Sequence, residues 1–316
     1  MSNEITIDNK YLVLVNGKEN REGEGVSSIV YKVEDMKTKE VYAAKVLTKE
    51  EYRNSFDNEK EFLTFLKEKG IESVVNIIDS GDGNIKAGNI SIKRKYLILE
   101  YAEKKDLTRY ISQNLMNNGF SKPHAQLLFS KILKAIKAIH ESGVCHRDIK
   151  TDNILLDNEF NPKICDFGFS TYINNTAKIM CGTYPYAAPE ILIIQKDAPK
   201  YAVSRKYIKG FDGDIADVFA LGVTLFNIVA GKRCFDLPTK LDKSYKYIIN
   251  HDYDKFWKLK NIEPEPSDEF KDLFVKMVDT DPEKRIKINE IENCKWLKDY
   301  ENKSNDEKKK NRNRII

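Results

Sequence analysis

Between Cys145 and Ser170 the chain reads CHRDIKTDNILLDNEFNPKICDFGFS, with charged residues at each bend of two short apolar runs. Packing alone does not call for that pattern. Asp148 and Asn153 lie five residues apart in a loop after a helical segment, a spacing suited to presenting a carboxylate and an amide to one centre. Asp166 follows the short apolar run KIC, and Phe167-Gly168 lets the chain turn tightly away. Asn153 and Asp166 are oxygen donors of the kind that suits a hard divalent ion such as magnesium, which keeps some water and borrows phosphate oxygens. A metal and a triphosphate would account for the crowding of charge.

Two features nearer the N-terminus fit the same chemistry. In GEGVSSIV, from Gly23, alternating β-branched residues follow the glycines, so the loop joins two strands; a dinucleotide fingerprint would need a helix there. A glycine-rich hairpin lets backbone N–H groups approach phosphates closely. Lys45 ends VYAAK on the strand after next. Glu59, in the segment that follows, would face the lysine and hold its ammonium toward a phosphate, with Glu61 as the rival partner.

These residues need elements to position them. From Tyr11 to about Leu47, YLVLV, SSIVYKV and EVYAAKVL read as an antiparallel meander. Phe62, Leu63, Phe65 and Leu66 fall at helical spacing within Glu51–Lys69. Two further strands are expected at VVNIIDSG and KYLILEYA, separated by a polar loop around Gly81 to Asn89. After Glu103 the texture turns helical. SKPHAQLLFSKILKAIKAIH predicts a long amphipathic helix capped by Ser121 with proline near its start. An irregular stretch then runs to about Met180, and helical segments dominate from Glu190, including ADVFALGVTLFNIVAG and SDEFKDLFVKMVD. The seam between a small β-rich part and a larger helical part is expected near Tyr101 to Lys105.

Composition narrows the function classes. With 316 residues, 41% hydrophobic and 32% charged, the chain has the balance of a soluble globular protein large enough for two cores. Of the net charge of +4, Lys298 to Ile316 supplies a surplus of three, with seven basic against four acidic residues. The rest is nearly neutral, which argues against nucleic-acid binding. The end EKKKNRNRII reads as a solvated tail, with a localisation or polyanion signal as the alternative. Five scattered cysteines without Cys-x-x-Cys spacing, Cys165 among them, predict neither a disulfide framework nor a zinc site. The first ten residues lack the basic start and apolar core of a signal peptide. The longest apolar run, around Val218 to Ala230, is interrupted by Asn227 and is short for a membrane span. A reduced, monomeric, cytoplasmic protein is expected, with the nucleus as the alternative location.

GEGVSSIV, AAK, HRDIKTDN, DFG and AAPE stand in the order and approximate spacing of the eukaryotic protein kinase family, which the chain resembles from about Tyr11 to Leu297. The resemblance implies an α+β, two-lobed protein kinase fold. A small β-rich N-lobe would cover about 11–101 and a larger, mainly helical C-lobe about 102–297. Residues 1–10 would be an extension and 298–316 a charged, disordered tail. GVSSIVYKV, FSKPHAQLLFSKIL and DPEKRIKINEIENCKWL resemble the calcium/calmodulin-dependent and AMP-activated-like group.

The implied activity is transfer of the γ-phosphate of Mg-ATP to a serine or threonine hydroxyl of a protein, with ATP and Mg2+ as cofactors. On this likeness Gly23, Glu24 and Gly25 would cover the phosphates, and Lys45, paired with Glu59, would hold the α and β phosphates. Asp148 would orient the substrate hydroxyl and accept its proton, Lys150 would neutralise the transferring phosphoryl group, and Asn153 and Asp166 would hold magnesium. Backbone groups of Glu100 and Ala102 would meet adenine, Leu99 would stand behind it, Val30, Ala43 and Leu155 would sandwich it, and Asp106 would meet the ribose. Thr183 would bond to Asp148 and Lys150, Glu190 would pair with Arg285, and Asp217 would brace the loop that carries Asp148. Asp106 and Asp152 would favour a basic residue upstream of the target hydroxyl.

The chain departs from the family pattern in places. Ser28 replaces the third glycine. Arg147 is the residue that usually answers to a phosphorylated activation loop, yet Ile179 stands where the phosphothreonine is common. Thr176 is the nearest candidate phosphosite and would bring in an upstream kinase. Glu190 and Asp217 are 27 positions apart, longer than usual, so the stretch around 195–210 reads as an insertion. The rival to an enzyme is a pseudokinase scaffold that binds nucleotide or partners without turnover.

Overall fold

The computed structural model describes residues 4–14, 21–114, 118–173, 182–192 and 211–298. The chain divides into two compact units, Met1–Glu103 with Cys165–Gly168, and Lys104–Ile164 with Phe169–Ile316. Thr176, Ile179, the 195–210 insertion and the 299–316 part of the tail lie outside the described residues.

In the first unit, strands β1 (Ile5–Ile7), β2 (Tyr11–Val13), β3 (Gly23–Glu24), β4 (Ser28–Asp35) and β5 (Val41–Leu47) precede helix α1 (Arg53–Glu68), and β6 (Ile77–Ala87) and β7 (Ile90–Glu100) follow it. They form an antiparallel sheet in the order β2-β1-β6-β7-β5-β4-β3, and β2 also pairs with β4. Successive strand residues point to opposite faces. One face gathers Ile7, Tyr11, Val33, Ala44, Val46, Tyr96 and Ile98 into the core. The other face of β4, β5 and β7 receives the intervening positions, with Val30 opposite Lys45, Lys45 opposite Leu97 and Ala43 opposite Leu99. Lys45 is thus turned away from the apolar core by its register alone.

Helix α1 begins after a 3-10 turn over Glu50–Tyr52 and buries Phe56, Glu59, Phe62, Leu63 and Leu66. These positions recur every three or four residues, the period of one helix face. Glu59 is the single charge on that stripe.

The strand boundaries differ from the sequence reading in two ways. Residues 5–7, expected in an extension, form β1 and pair with both β2 and β6. The expected polar loop at Gly81 to Asn89 is instead the far end of a long hairpin, in which β6 and β7 stay paired from Ile77 to Ile90. Backbone pairing needs no apolar side chains, and β1 supplies β6 with a second partner there.

The second unit holds α2 (Leu107–Asn114), α3 (Lys122–Glu141), β8 (Val144–Cys145), β9 (Ile154–Leu156), β10 (Pro162–Ile164) and β11 (Thr171–Tyr172). It continues with α4 (Pro189–Leu192), α5 (Gly213–Ala230), α6 (Tyr245–Ile249), α7 (Tyr253–Lys260), α8 (Asp268–Met277) and α9 (Ile288–Ile291). Ser121 occupies the N-cap position of α3, but its hydroxyl contacts Nδ1 of His124 at 2.7 Å and makes no backbone cap. By length and composition α5 would pass for a membrane helix, yet 78% of it is buried inside the unit, the mark of a core helix. The stretch read as irregular contains the short pairs β9–β10 and β8–β11.

Two buried polar groups tie this unit together. The Asp217 carboxylate on α5 accepts from the backbone N–H groups of His146 and Arg147, both at 2.7 Å, and contacts Nε2 of His140 at 2.9 Å. Arg285 donates to both oxygens of Glu190, at 2.6 and 2.9 Å. Close packing at Gly213 leaves no room for a side chain, since a Cβ there would lie 2.3 Å from Cys145 Sγ.

Candidate active site

Chemistry-bearing residues of the first unit collect on the sheet face opposite its core. Lys45 Nζ lies 2.6 Å from Glu59 Oε2 and 3.0 Å from Asp166 Oδ1. The rival partner, Glu61, is exposed. Lys45 and Glu59 side chains are 13% and 3% exposed, so both charges have left bulk water. Burial opposes the Lys45 charge, but the neighbouring Asp166 and Glu59 carboxylates outweigh it and hold the ammonium above its ordinary range. Burial pushes the Glu59 carboxyl up to about 7, against the pull of Lys45.

Asp166 adopts a left-handed backbone, φ 67°, at the turn into Phe167 and Gly168. Two α1 side chains that sequence reasoning missed hold this turn. Ser55 Oγ donates to the Gly168 carbonyl at 3.2 Å, and Asn58 Nδ2 donates to the Phe167 and Gly168 carbonyls at 3.3 and 3.1 Å. Ser55, Asn58 and Glu59 lie three and four residues apart, and that polar triplet on one helix face was the available signal. A Cβ on Gly168 would lie 2.5 Å from Ser55 Oγ, so a side chain there would displace the serine hydroxyl from its bond to the Gly168 carbonyl.

At the hairpin, Gly23 stands opposite Val30 and Glu24 opposite Ile29, and the turn closes through Gly25 N–H donating to the Ser28 carbonyl at 2.9 Å. Ser28 is buried. A Cβ at Gly25 would meet only the Ser28 carbonyl, at an ordinary 3.6 Å, so no neighbour among the described residues demands a glycine there. At the end of β7, Leu99 and Ala102 are buried, and the Glu100 backbone N–H donates to the Asn76 carbonyl at 2.9 Å. The Glu100 N–H, one of the backbone groups expected at adenine, is thus already engaged within the first unit.

The second unit builds a tight set around Asp148. Its Oδ1 accepts from Thr183 Oγ1 at 2.8 Å, and its Oδ2 accepts from Lys150 Nζ at 2.8 Å and Asn153 Nδ2 at 3.0 Å. Lys150 Nζ also donates to Thr183 Oγ1 at 2.7 Å, and Asn153 Nδ2 donates to the Asp148 carbonyl at 2.8 Å. Asp148 and Asn153 are 4% and 5% exposed. Gly182 has φ +88°, and a Cβ there would lie 2.7 Å from the Arg147 carbonyl, so the chain bearing Thr183 passes close to the loop bearing Asp148. Asp217 anchors that loop from beneath through the bonds given above.

A second polar chain was not legible beforehand. Thr108 Oγ1 donates to Thr151 Oγ1 at 2.6 Å, Thr151 Oγ1 meets Tyr186 OH at 2.9 Å, and Asn227 Nδ2 donates to the same hydroxyl at 2.8 Å. It joins α2, the Thr151–Asn153 turn, the Tyr184–Tyr186 turn and α5. A groove of about 630 Å³ opens beside it, lined by Lys150, Asp152, Thr183 and Pro185 among others. Leu155 on β9 bridges to Asp106. Asp106 is less available than expected, because it accepts from Arg109 N–H at 2.8 Å and pairs with Arg109 Nε at 3.2 Å.

Asn153 in the second unit turns its Nδ2 to Asp148, which orients its amide; in the first unit Asp166 gives one carboxylate oxygen to Lys45. Each is a hard oxygen donor of the kind magnesium takes. No cluster of three or more His, Cys, Asp or Glu residues suited to a metal occurs among the described residues. A hard ion held by so few protein oxygens takes the remainder from water and phosphate. Cys165, next to Asp166, is a free thiol and partly buried.

Residues 18–297 match the family described as protein kinase domain. Sperm motility kinase 2B of Mus musculus is 30% identical over 259 residues, 81% of this chain and 46% of its own length. CBL-interacting protein kinase 11 of Oryza sativa subsp. japonica is 28% identical over 288 residues, 87% of this chain and 50% of its own. CBL-interacting protein kinase 26 of the same plant is 34% identical over 208 residues. The chain spans about half the length of the curated relatives it matches. A family match across most of the sequence, on a β-rich unit followed by a mainly helical one, means that this chain belongs to the protein kinase family.

Proposed function

We propose that this protein is an ATP-dependent serine/threonine protein kinase, which transfers the γ-phosphate of Mg-ATP to a hydroxyl of a protein substrate. The hydrogen-bonded set around Asp148 carries the proposal. A carboxylate fixed through both oxygens is oriented to receive the proton of an incoming hydroxyl, and the Lys150 ammonium beside it offers charge to the transferring phosphoryl group. Thr183, hydrogen-bonded to both, positions them and lines the groove where an extended peptide would lie.

In the first unit Lys45 is assigned to the α and β phosphates, with Glu59 as its anchor, and the backbone of Gly23, Glu24 and Gly25 covers them. Val30, Ala43, Leu99 and Leu155 take the apolar faces of adenine. The Glu100 carbonyl and the Ala102 backbone take its polar edge. Asp106 is assigned to the ribose. Asn153 and Asp166 are the residues that would hold magnesium, which when bound would neutralise phosphate charge. With Asp106 shared with Arg109, exposed Asp152 is the acid assigned to a basic residue upstream of the target.

The test is γ-phosphate transfer from Mg-ATP to a serine peptide with upstream arginine, by purified protein before and after phosphatase treatment. Transfer supports the proposal, and its loss on dephosphorylation would direct attention to Thr176. Tight nucleotide binding without transfer in either sample would replace the kinase with a binding scaffold.

A further inference from the structure

In the second unit α7 and α8 flank a groove of about 880 Å³ that none of the chemistry above uses. Trp257, Ile262 and Val275 give it an apolar floor, while Asp254, Glu263, Glu265, Asp268 and Asp272 line it against only Lys258 and Lys271. Lys271 is already engaged, 2.5 Å from Glu265 and 6.0 Å from the centre of the Trp257 ring. Asp254 and Glu263 have no ion-pair partner among the described residues, and the Asp268 side chain is 99% exposed with its nearest amine 4.0 Å away. Asp272 pairs with Lys276 at 2.8 Å, which leaves Asp254, Glu263 and Asp268 as the carboxylates without a close amine. Three such carboxylates beside an aromatic floor suit a segment that is cationic and then apolar.

The chain itself supplies such a segment. Lys308, Lys309, Lys310, Arg312 and Arg314 follow one another without an intervening acid, and Ile315 and Ile316 come next. The described chain stops at Lys298, two residues beyond Trp296, whose ring packs on Phe270 of α8 with centroids 5.6 Å apart. Lys271, Asp272 and Val275 of the same helix line the groove. The ten residues from Lys298 to Lys308 span up to about 35 Å when extended, whereas a ten-residue helix is only about 15 Å long. Reach is therefore ample. Tethering also supplies an effective concentration on the order of millimolar, so an affinity too weak between separate molecules is enough within one chain.

We propose that this acidic groove receives the chain's own basic segment, Lys308 to Arg314, with the two isoleucines over Trp257. The contact does not depend on phosphoryl transfer and stands or falls separately from it.

The experiment is zero-length carbodiimide coupling of lysines to carboxylates on the full chain, mapped by mass spectrometry. Lys308 to Lys310 should couple to Asp254, Glu263 and Asp268 several-fold more than to a remote exposed acid such as Asp236, 84% exposed. The yield should not change on dilution and should vanish at about 1 M salt, where charges are screened within about 3 Å. Asp254→Asn with Glu263→Gln, which removes those two coupling sites outright, should also cut the yield at the unmutated Asp268 while leaving the melting curve in place. Coupling spread evenly over surface acids would overturn the proposal. So would yields that fall with dilution, which would assign the groove to a second copy, or an Asp268 yield indifferent to the double substitution.

Discussion

Arg285→Met isolates the most completely buried ion pair of the helical unit. Arg285 and Glu190 side chains are 0% and 2% exposed, and the guanidinium also donates to the Ile215 carbonyl at 2.9 Å and to the Asp279 carbonyl at 3.0 and 3.1 Å. Methionine fills much of the same space but leaves the Glu190 carboxylate buried without its partner. Breaking a buried pair from one side costs about 3–5 kcal/mol, a large share of the roughly 5–15 kcal/mol that holds a domain folded. Removing the charge as well, in Glu190→Gln with Arg285→Met, should recover the larger part, because the penalty belongs to the orphaned carboxylate. Urea unfolding reads this directly. Both tryptophans of the chain, Trp257 and Trp296, lie in the helical unit, so their fluorescence reports its transition. With a urea slope of about 1–3 kcal/mol per molar, the midpoint should fall by about 1 M or more. A loss under about 1 kcal/mol, or a double variant no better than the single, would refute the reasoning.

Other substitutions test neighbouring parts of the account. Gly213→Ala forces a methyl group against Cys145 Sγ and should cost about 1–3 kcal/mol by the same urea assay, with part of the loss recovered when Cys145→Ala is added; unchanged stability would mean the helix shifts freely there. Burial raises the Glu59 carboxyl from 4.5 to about 7, so its contribution to stability is complete below pH 4.5 and is lost as the pH rises through 7. Hydrogen exchange in α1, corrected for the intrinsic rate, should therefore show wild-type protection falling relative to Glu59→Gln as the pH rises across that window. Parallel profiles would contradict the assignment of the shift to Glu59.

Several elements were legible because their side chains repeat with the period of the backbone. The Phe62, Leu63 and Leu66 spacing announced α1, and the alternation after Ser28 announced β4. What was missed rests on pairing between distant segments. Ile5–Ile7 is too short to stand out as a strand, and only β2 and β6 make it one. The far half of β6 and β7 does alternate, with Ile85 opposite Ile92 and Ala87 opposite Ile90, but Gly81, Gly83, Gly88 and Asn89 among them read as a loop. Ser121 looked like a helix cap, but His124 captures its hydroxyl. In the site, residue types pointed to Asp148, Asn153, Asp166 and Lys45, whereas Ser55, Asn58, Thr151, Tyr186 and Asn227 look like ordinary surface polar residues in sequence. Their hydrogen bonds cross tens to over a hundred residues of chain, and apart from the helical spacing of Ser55 and Asn58 with Glu59 nothing local marks them.

The central claim, that the Asp148 set performs phosphoryl transfer, is tested most directly by comparing wild type with Asp148→Asn in two assays on the same samples, nucleotide affinity and phosphate transfer to a serine peptide. Asparagine keeps the shape but sets an amide where Lys150 and Asn153 now donate, and it cannot take the proton. Orientation and general-base effects are worth about 10²–10⁴-fold. The predicted result is nucleotide binding unchanged and turnover reduced by that factor; turnover equal to wild type would contradict the account.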